Sequence, residues 1–283
     1  MLSITDEKFA AAAEKLPSTP RIFERINVAL RNPDVEIEDL ARILKLDAAL
    51  SARLLRVANS AAAGGSAPAV DLAEAIQRTG FREVFRVVGV AMTAQLYVSG
   101  LPMYGVGGTE LWENSVATAL AMEKLAAVAG EDVRLGYTLG LLRSVGRLLL
   151  QRLAAGQVCA PLAGRKETGA LVLAWETDTF GFTSAAATRR LFKLWKFSAD
   201  LGGPVEHHLQ PEADPARARL TALLHVAGYI ANALGHGLVI ENELWSLTPQ
   251  ILAQAGLSAA EAEACQVSIA EELARMTSEG MPE

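Results

Sequence analysis

The stretch LGLLRSVGRL, residues 139–148, decides how the chain is interpreted. Its pattern is typical of an apolar helix that ends and runs directly into a second one, with Arg143 and Ser144 at the junction. The stretch LWENSVATA, residues 111–119, predicts another helix upstream that carries Asn114. Because Arg143 lies between leucines and a valine, we expect its side chain to be buried.

The composition favours close-packed helices in this chain of 283 residues. Hydrophobic residues make up 51% of it, but aromatic residues only 6%, a balance typical of helical packing rather than of sheets. The net charge of −6 and the pI near 5.4 give no electrostatic footprint for general nucleic-acid binding.

The sequence gives no sign of a targeting segment or of a metal site built from cysteines. Cys159 and Cys265 match no disulfide or zinc spacing. The first residues lack the charged-then-apolar order of a signal peptide, and the uncharged run 87–109 holds too few apolar helical residues to span a membrane. We therefore expect a cytoplasmic protein with no membrane segment and no cofactor.

Helical periodicity continues on both sides of a glycine-rich break at residues 99–108. Before the break, Thr19-Pro20 and Asp47 are predicted helix starts and Gly80 a helix end. After it, Glu131-Asp132 is predicted to begin the helix that leads to Arg143. Strand periodicity is absent from residues 18–98. The predicted fold class is all-α, with two packed helical subdomains and a C-terminal helical appendage.

Taken in order, these segments resemble the HDOD family, the HD-related output domains of bacterial signalling proteins. The resemblance rests on the N-terminal segments LPSTP (16–20), LDAAL (46–50), LLRVANS (54–60) and AIQRTG (75–80), and on the C-terminal matches LW (111–112), LGLL (139–142), Gly146, FG (180–181), Trp195 and HH (207–208). It implies an extension at 1–15, an HDOD domain at 16–236 and an appendage at 237–283. Within the domain, residues 16–100 form the N-terminal bundle and residues 109–236 the HD-like subdomain.

The resemblance also implies where the metal ligands of an HD-type enzyme would stand. In that superfamily a histidine on one helix and a His-Asp pair on a later helix hold a metal. This sequence departs from that pattern, and the positions that form its vestigial site are Asn114, Arg143, Ser144, Ser184, His207, His208 and Gly228. Arg143 is the most informative departure, because a guanidinium is always cationic and cannot ligate a metal. Catalytic and metal-binding residues are therefore both predicted to be absent.

Three functions follow as alternatives. The first is a non-catalytic signalling module that binds a protein partner, with a small anionic ligand as an optional gate; the resemblance implies a cyclic di-GMP or phosphorelay pathway. The second is a residual nucleotide phosphohydrolase using His207, His208 and Glu206, although a packed helix-end pair explains the two histidines more simply. The third is a nucleic-acid-binding regulator using the arginines of the N-terminal bundle, which the net charge does not favour. The candidate partner- or ligand-binding residues are Arg53, Arg56, Asn59, Arg82 and Arg147, and partner contact is expected on the N-terminal bundle or in a cleft between the subdomains.

A buried Arg143 leaves two alternatives open. It either pairs with a carboxylate, for which Glu113, Glu176 and Glu206 are the candidates, or it faces a pocket with Arg147 and binds an anionic ligand. The structural alternative is preferred, because a buried guanidinium without a partner costs several kcal/mol.

Overall fold

The structure, a computed structural model, describes residues 2–16, 19–61, 68–155, 157, 169–214 and 216–278. These residues form helices and no strand, so the predicted all-α class is confirmed. The fourteen α-helices described there are α1 Asp6–Glu14, α2 Thr19–Ala29, α3 Ile37–Leu44, α4 Ala48–Ala61, α5 Leu72–Tyr97, α6 Gly108–Ala129, α7 Val133–Leu142, α8 Val145–Ala154, α9 Ala170–Phe180, α10 Ser184–Leu194, α11 Gly202–His207, α12 Ala218–Ala231, α13 Pro249–Ala255 and α14 Ala259–Ser278. No helix in the described ranges is both long and apolar enough to cross a bilayer.

The chain divides into two compact units. The N-terminal unit is Pro17–Leu96, and the C-terminal unit is Met1–Leu16 together with Tyr97–Glu283. The appendage expected at 237–283 packs within the C-terminal unit, since α13 contacts α12 and α14 contacts α6. The finer domain limits given by the sequence stay a prediction.

The N-terminal unit is a small apolar bundle whose helix ends follow local sequence signals. The Asp47 carboxylate accepts hydrogen bonds from the first amides of α4, at 2.9 and 3.0 Å, as a helix cap does. Gly80, with φ 78° and ψ 160°, breaks α5 where the sequence predicts a stop. The interior is apolar, with Phe23 stacked on Phe85 and Leu40, Leu44, Leu54, Ile76 and Met92 buried.

The C-terminal unit is built around the close packing of α6 against α7. A Cβ added at Gly140 would lie 2.4 Å from the Cα of Ala119, so only glycine permits this approach of the two backbones. Helix α12 packs on α6, and α10 packs on α8. Helix α1 joins this unit, because Arg190 pairs with Asp6 at 2.7 Å and lies 3.8 Å above the ring of Phe9. These contacts place the junction between α7 and α8 deep inside the unit.

Candidate functional site

Arg143 lies at the junction of α7 and α8 and is buried, with 1% of its side chain exposed. Its two terminal nitrogens donate to the two carboxylate oxygens of Glu241, Nη1 to Oε1 at 2.9 Å and Nη2 to Oε2 at 2.8 Å. This fork-to-fork pairing is the strongest geometry available to an arginine and a carboxylate. Glu241 belongs to a 3₁₀ turn at Val239–Leu244, which follows α12.

Asn114 completes the contacts of Arg143 from α6. Its Oδ1 accepts a second hydrogen bond from Arg143 Nη2 at 2.5 Å, while its Nδ2 donates to the carbonyl of His236 at 2.7 Å. The structure therefore brings together two positions that the sequence assigns to the vestigial site. It joins them through polar bonds between α6, the α7–α8 junction and the segment after α12.

Arg147, one helical turn beyond Arg143, shares the same carboxylate. Its Nη1 donates to Glu241 Oε1, and its Nε lies 3.7 Å from Oε1 of Glu176. Glu176 also accepts from the hydroxyl of Tyr104 at 2.9 Å and from the amide of Ser184 at 2.7 Å. Two arginines and two glutamates thus form one buried ion network, and Ser184 contributes a backbone amide to it.

The network fixes the charge states of its members. Burial alone would raise the pKa of Glu241, but the charges of Arg143 and Arg147 outweigh burial and hold that pKa well below its ordinary value. For Glu176, burial dominates and raises the pKa, while Arg147 and the hydrogen bonds from Ser184 and Tyr104 oppose it only in part. Glu241 is therefore the firmly ionised carboxylate of the network.

His208 and His207 point to different environments. Burial, followed by the charge of Arg143, lowers the pKa of His208 to about 3, so its ring is neutral. Nδ1 lies 2.8 Å from the carbonyl of Val205, which assigns the ring proton to Nδ1. His207 is a third exposed, and its Nε2 lies 3.4 Å from Glu206, whose carboxylate pairs with Arg189. The buried His208 side chain thus contacts the Val205 carbonyl, while that of His207 faces Glu206 at the surface.

At Gly228, another position assigned to the vestigial site, an aromatic ring occupies the space that a side chain would fill. A Cβ at this position would lie 2.4 Å from the ring of Trp245. The same indole lies 5.1 Å from the guanidinium carbon of Arg143 and within 6 Å of the His208 and His225 rings, at 5.9 and 5.4 Å. No larger residue fits at 228 while Trp245 holds this place.

The ion network corrects the partner expected for Arg143. The sequence nominates Glu113, Glu176 and Glu206, and none of them pairs with Arg143. Glu113 lies 3.5 Å from Nδ1 of His236, Glu176 faces Arg147, and Glu206 pairs with Arg189 at the surface. Sequence reasoning missed Glu241 and Trp245 because both lie in the segment treated as an appendage. The one available signal was the placement of Glu241 directly after the apolar residues 238–240.

The remaining candidates lie in the N-terminal unit, apart from Ser144, whose buried hydroxyl belongs to the α7–α8 junction. Arg56 and Arg82 are exposed, and Arg53 is half-buried. Asn59 has a structural role, since its amide donates to the carbonyl of Ala69 and accepts from the Ala69 amide, at 3.3 and 2.7 Å. It ties the end of α4 to the approach to α5.

In the described parts of the chain, no group of three or more His, Cys, Asp and Glu side chains is arranged to hold a metal ion. The side chains of Glu241 and Asn114 are instead bonded to Arg143, a cation that belongs to the protein. A dication placed next to two guanidinium groups would meet electrostatic repulsion.

Comparison with known proteins identifies the family to which this chain is similar. Residues 16–211 match the HDOD domain family. Among curated proteins, a Treponema pallidum (strain Nichols) protein named only as uncharacterised is 26% identical over 138 residues, which is 48% of this chain and 26% of that protein. The chain thus spans about a quarter of the length of that relative.

Solved structures share the fold. An HDOD domain protein of unknown function from Geobacter sulfurreducens matches with a TM-score of 0.66 and 19% identity, over 95% of this chain and 97% of that one. A Marinobacter aquaeolei VT8 protein provisionally named a signal transduction protein gives 0.69 and 21%, over 96% of this chain and 63% of that one. A Shewanella amazonensis SB2B protein provisionally named a phosphohydrolase gives 0.61 and 22%, over 96% and 95%.

Proposed function

Because the chain belongs to the HDOD domain family, we propose that it is a non-catalytic signalling module that acts by binding a protein partner. One observation carries this proposal. Arg143, which the family resemblance places among the metal-ligand positions of an HD-type enzyme, is bonded to both oxygens of Glu241 and to Asn114. Imidazole and carboxylate groups bind metals through free lone pairs, and here the nearby carboxylate is already used by two arginines.

The positions of His207, His208 and Glu206, the three residues proposed for a residual phosphohydrolase, do not support that alternative. His208 is buried and neutral, whereas Glu206 and His207 lie at the surface with Arg189. A metal that joined them would have to reach the buried Nε2 of His208 and also compete with Arg189 for the Glu206 carboxylate.

The proposal that the chain binds a protein partner rests on its family and on exposed arginine side chains. The Marinobacter protein with the same fold is provisionally named for signal transduction, which supports a signalling partner here. A cyclic di-GMP or phosphorelay pathway is proposed from the family resemblance alone. The N-terminal unit presents Arg56 and Arg82 at its surface, and exposed arginines are frequent centres of protein interfaces. We assign partner contact to this unit.

Two experiments test the proposal. Elemental analysis of protein purified without added metal should give far less than one equivalent of iron, manganese or zinc, and nucleotide hydrolysis should stay at the protein-free rate when Mn²⁺ is added. One equivalent of metal that is lost on His207→Ala or His208→Ala, together with hydrolysis, would favour the enzyme instead.

The second experiment is affinity capture from the native cell with three baits. The wild-type chain and Arg152→Glu, an exposed arginine on α8, should retain the same signalling protein. The double variant Arg56→Glu/Arg82→Glu should lose it, because the charge reversal opposes the contacts assigned to those arginines. Equal capture by all three baits would place the interface elsewhere.

A further inference from the structure

We infer that Arg143 and Arg147 form an oxyanion-binding site whose present occupant is the Glu241 carboxylate of the same chain. The segment that carries this carboxylate, residues 239–246, is here called the plug. In this interpretation the plug fills the site, and a phosphate or carboxylate group of a ligand replaces Glu241 when the plug withdraws. This inference does not rest on the proposed partner binding, and either can fail without the other.

The first support is the geometry of the occupant. One carboxylate receives a bidentate contact from Arg143, at 2.9 and 2.8 Å, and a further bond from Nη1 of Arg147. Convergence of two guanidinium groups on one planar anion is how proteins bind carboxylates and phosphates. The two arginine side chains are 1% and 4% exposed, so the site lies in a region where such contacts are strong.

The second support is a set of buried polar atoms that Glu241 does not satisfy. Within the described residues, Nε of Arg143, Nε of Arg147 and Oγ of Ser144 are buried and have no hydrogen-bond partner. All three can donate, and buried donors are normally paired. The two oxygens of Glu241 already receive the terminal nitrogens of the arginines. An oxyanion with three or more oxygens offers the additional acceptors that these donors lack.

The third support is the charge of the network. Glu176 is the second carboxylate beside Arg147, and burial favours its protonated form by raising its pKa. To the extent that Glu176 is neutral, two guanidinium groups face the single negative charge of Glu241. A doubly charged phosphate group would balance that charge better than a carboxylate does.

The fourth support is the construction of the plug. It begins as a 3₁₀ turn rather than a regular helix, and it follows a bend at Gly235 with φ 86°. Its outer face is open, with Val239 61% exposed and Glu243 exposed. Its far end borders a cavity of about 320 Å³ lined in part by His225, Leu244, Ser246 and Gln254.

The test uses the full chain with Glu241→Ala, which leaves the plug in place without its carboxylate. Thermal unfolding is followed in inorganic phosphate, in acetate and in chloride at equal ionic strength. Because a ligand that binds only the folded state stabilises it, phosphate near 100 times its Kd should raise the unfolding midpoint of this variant by at least about 5 °C over chloride. A shift in acetate but not in phosphate would assign the site to carboxylate ligands.

The matched control is Glu243→Ala, two residues away on the exposed side of the plug. It and the wild-type chain should show no difference between phosphate and chloride, because Glu241 still occupies the arginines. Adding Arg147→Ala to Glu241→Ala should abolish the phosphate shift. If Glu241→Ala does not fold, Glu241→Gln, which keeps the shape and removes the charge, is measured in the same way. Phosphate and acetate shifts no larger than those of Glu243→Ala would overturn the inference.

Discussion

The two units of this protein differ in what they bury. In the N-terminal unit, Asn27 and Thr93 are the buried polar residues among those described, and neither is charged. In the C-terminal unit, Arg143, Arg147, Glu176 and Glu241 lie in the interior beside His208 and Asn114. The N-terminal unit needs only matching apolar faces, whereas the C-terminal unit also depends on each buried charge keeping its partner.

This difference has an energetic meaning. Apolar burial tolerates exchange of one hydrophobic residue for another of similar volume. A buried ion pair contributes little net stability when intact, yet it is costly to break because the remaining charge is left unpaired. Such a network is retained where it specifies an arrangement of helices or a site. We therefore expect substitutions of the buried charged residues in the C-terminal unit to cost more stability than substitutions of buried polar residues in the N-terminal unit.

The largest expected effect comes from Arg143→Ala. This substitution leaves Glu241 and Asn114 buried beside an empty volume, and we expect the free energy of unfolding to fall by about 3 kcal/mol, in the range for breaking a buried pair. Urea denaturation measures it. Arg152→Ala, on the exposed face of α8, should change stability by less than about 0.5 kcal/mol.

Urea denaturation of a variant in the N-terminal unit tests the same difference between the two units. Thr93→Ala removes a buried hydroxyl that bonds only within its own helix, at 3.1 Å, and should cost about 1 kcal/mol. An unchanged melting temperature in Arg143→Ala, or a larger loss in Thr93→Ala, would remove the distinction between the units.

A smaller effect is expected from Gly228→Ala. The added Cβ would meet the ring of Trp245 at 2.4 Å, and forcing an extra carbon into a packed interior costs about 2 kcal/mol. Gly202→Ala is the control, because its Cβ would meet nothing closer than 3.5 Å. In a Trp245→Leu background the Gly228 substitution should become nearly neutral. A full cost in that background would show that Trp245 is not what restricts position 228.

The smallest effect is a pH dependence that belongs to His208. Its pKa is lowered from 6.5 to about 3 in the folded state, so between these values the unfolded chain binds more protons. Stability should therefore be lost as the pH falls below 6.5, by at most about 1.4 kcal/mol per pH unit. Glu241, whose pKa is lowered, loses its contribution only in more acidic solution, below the ordinary carboxyl range. Unfolding at pH 5, 6 and 7 should show a shallower slope in His208→Gln than in wild type and in His207→Gln, and equal slopes would contradict this assignment.

The sequence was sufficient for the fold because helix boundaries are local. Asp47 as a cap, Gly80 as a break and Asp132 as a cap of α7 are all found where the pattern predicts them. The apolar positions 84, 85, 88, 92 and 96 are all buried. Each of these features depends on neighbours within one or two helical turns.

The site was predictable only in part, because its contacts join residues far apart in the chain. The apolar neighbours of Arg143 correctly indicated burial and a carboxylate partner, but they contain no information on which carboxylate arrives. Glu241 stands 98 positions away, and the direction of the chain after Gly235 decides that it reaches Arg143. The contact between Trp245 and Gly228 was equally unpredictable, because a glycine in one helix does not indicate which residue packs against it. The hydrogen bonds of Asn59 to Ala69 were not predictable, because they follow from the path of the chain after α4.

The most direct measurement of the central claim is a double-mutant cycle between Arg143→Ala and Glu241→Gln in the full chain. Urea unfolding gives the free energy for wild type, for each single variant and for the double variant. If the two side chains form one buried pair, their coupling energy should be about 2 kcal/mol or more, because Arg143→Ala removes the bidentate partner of the buried Glu241 carboxylate and Glu241→Gln removes that carboxylate. Losses that add to within about 0.5 kcal/mol would contradict the account and show that Arg143 and Glu241 act independently.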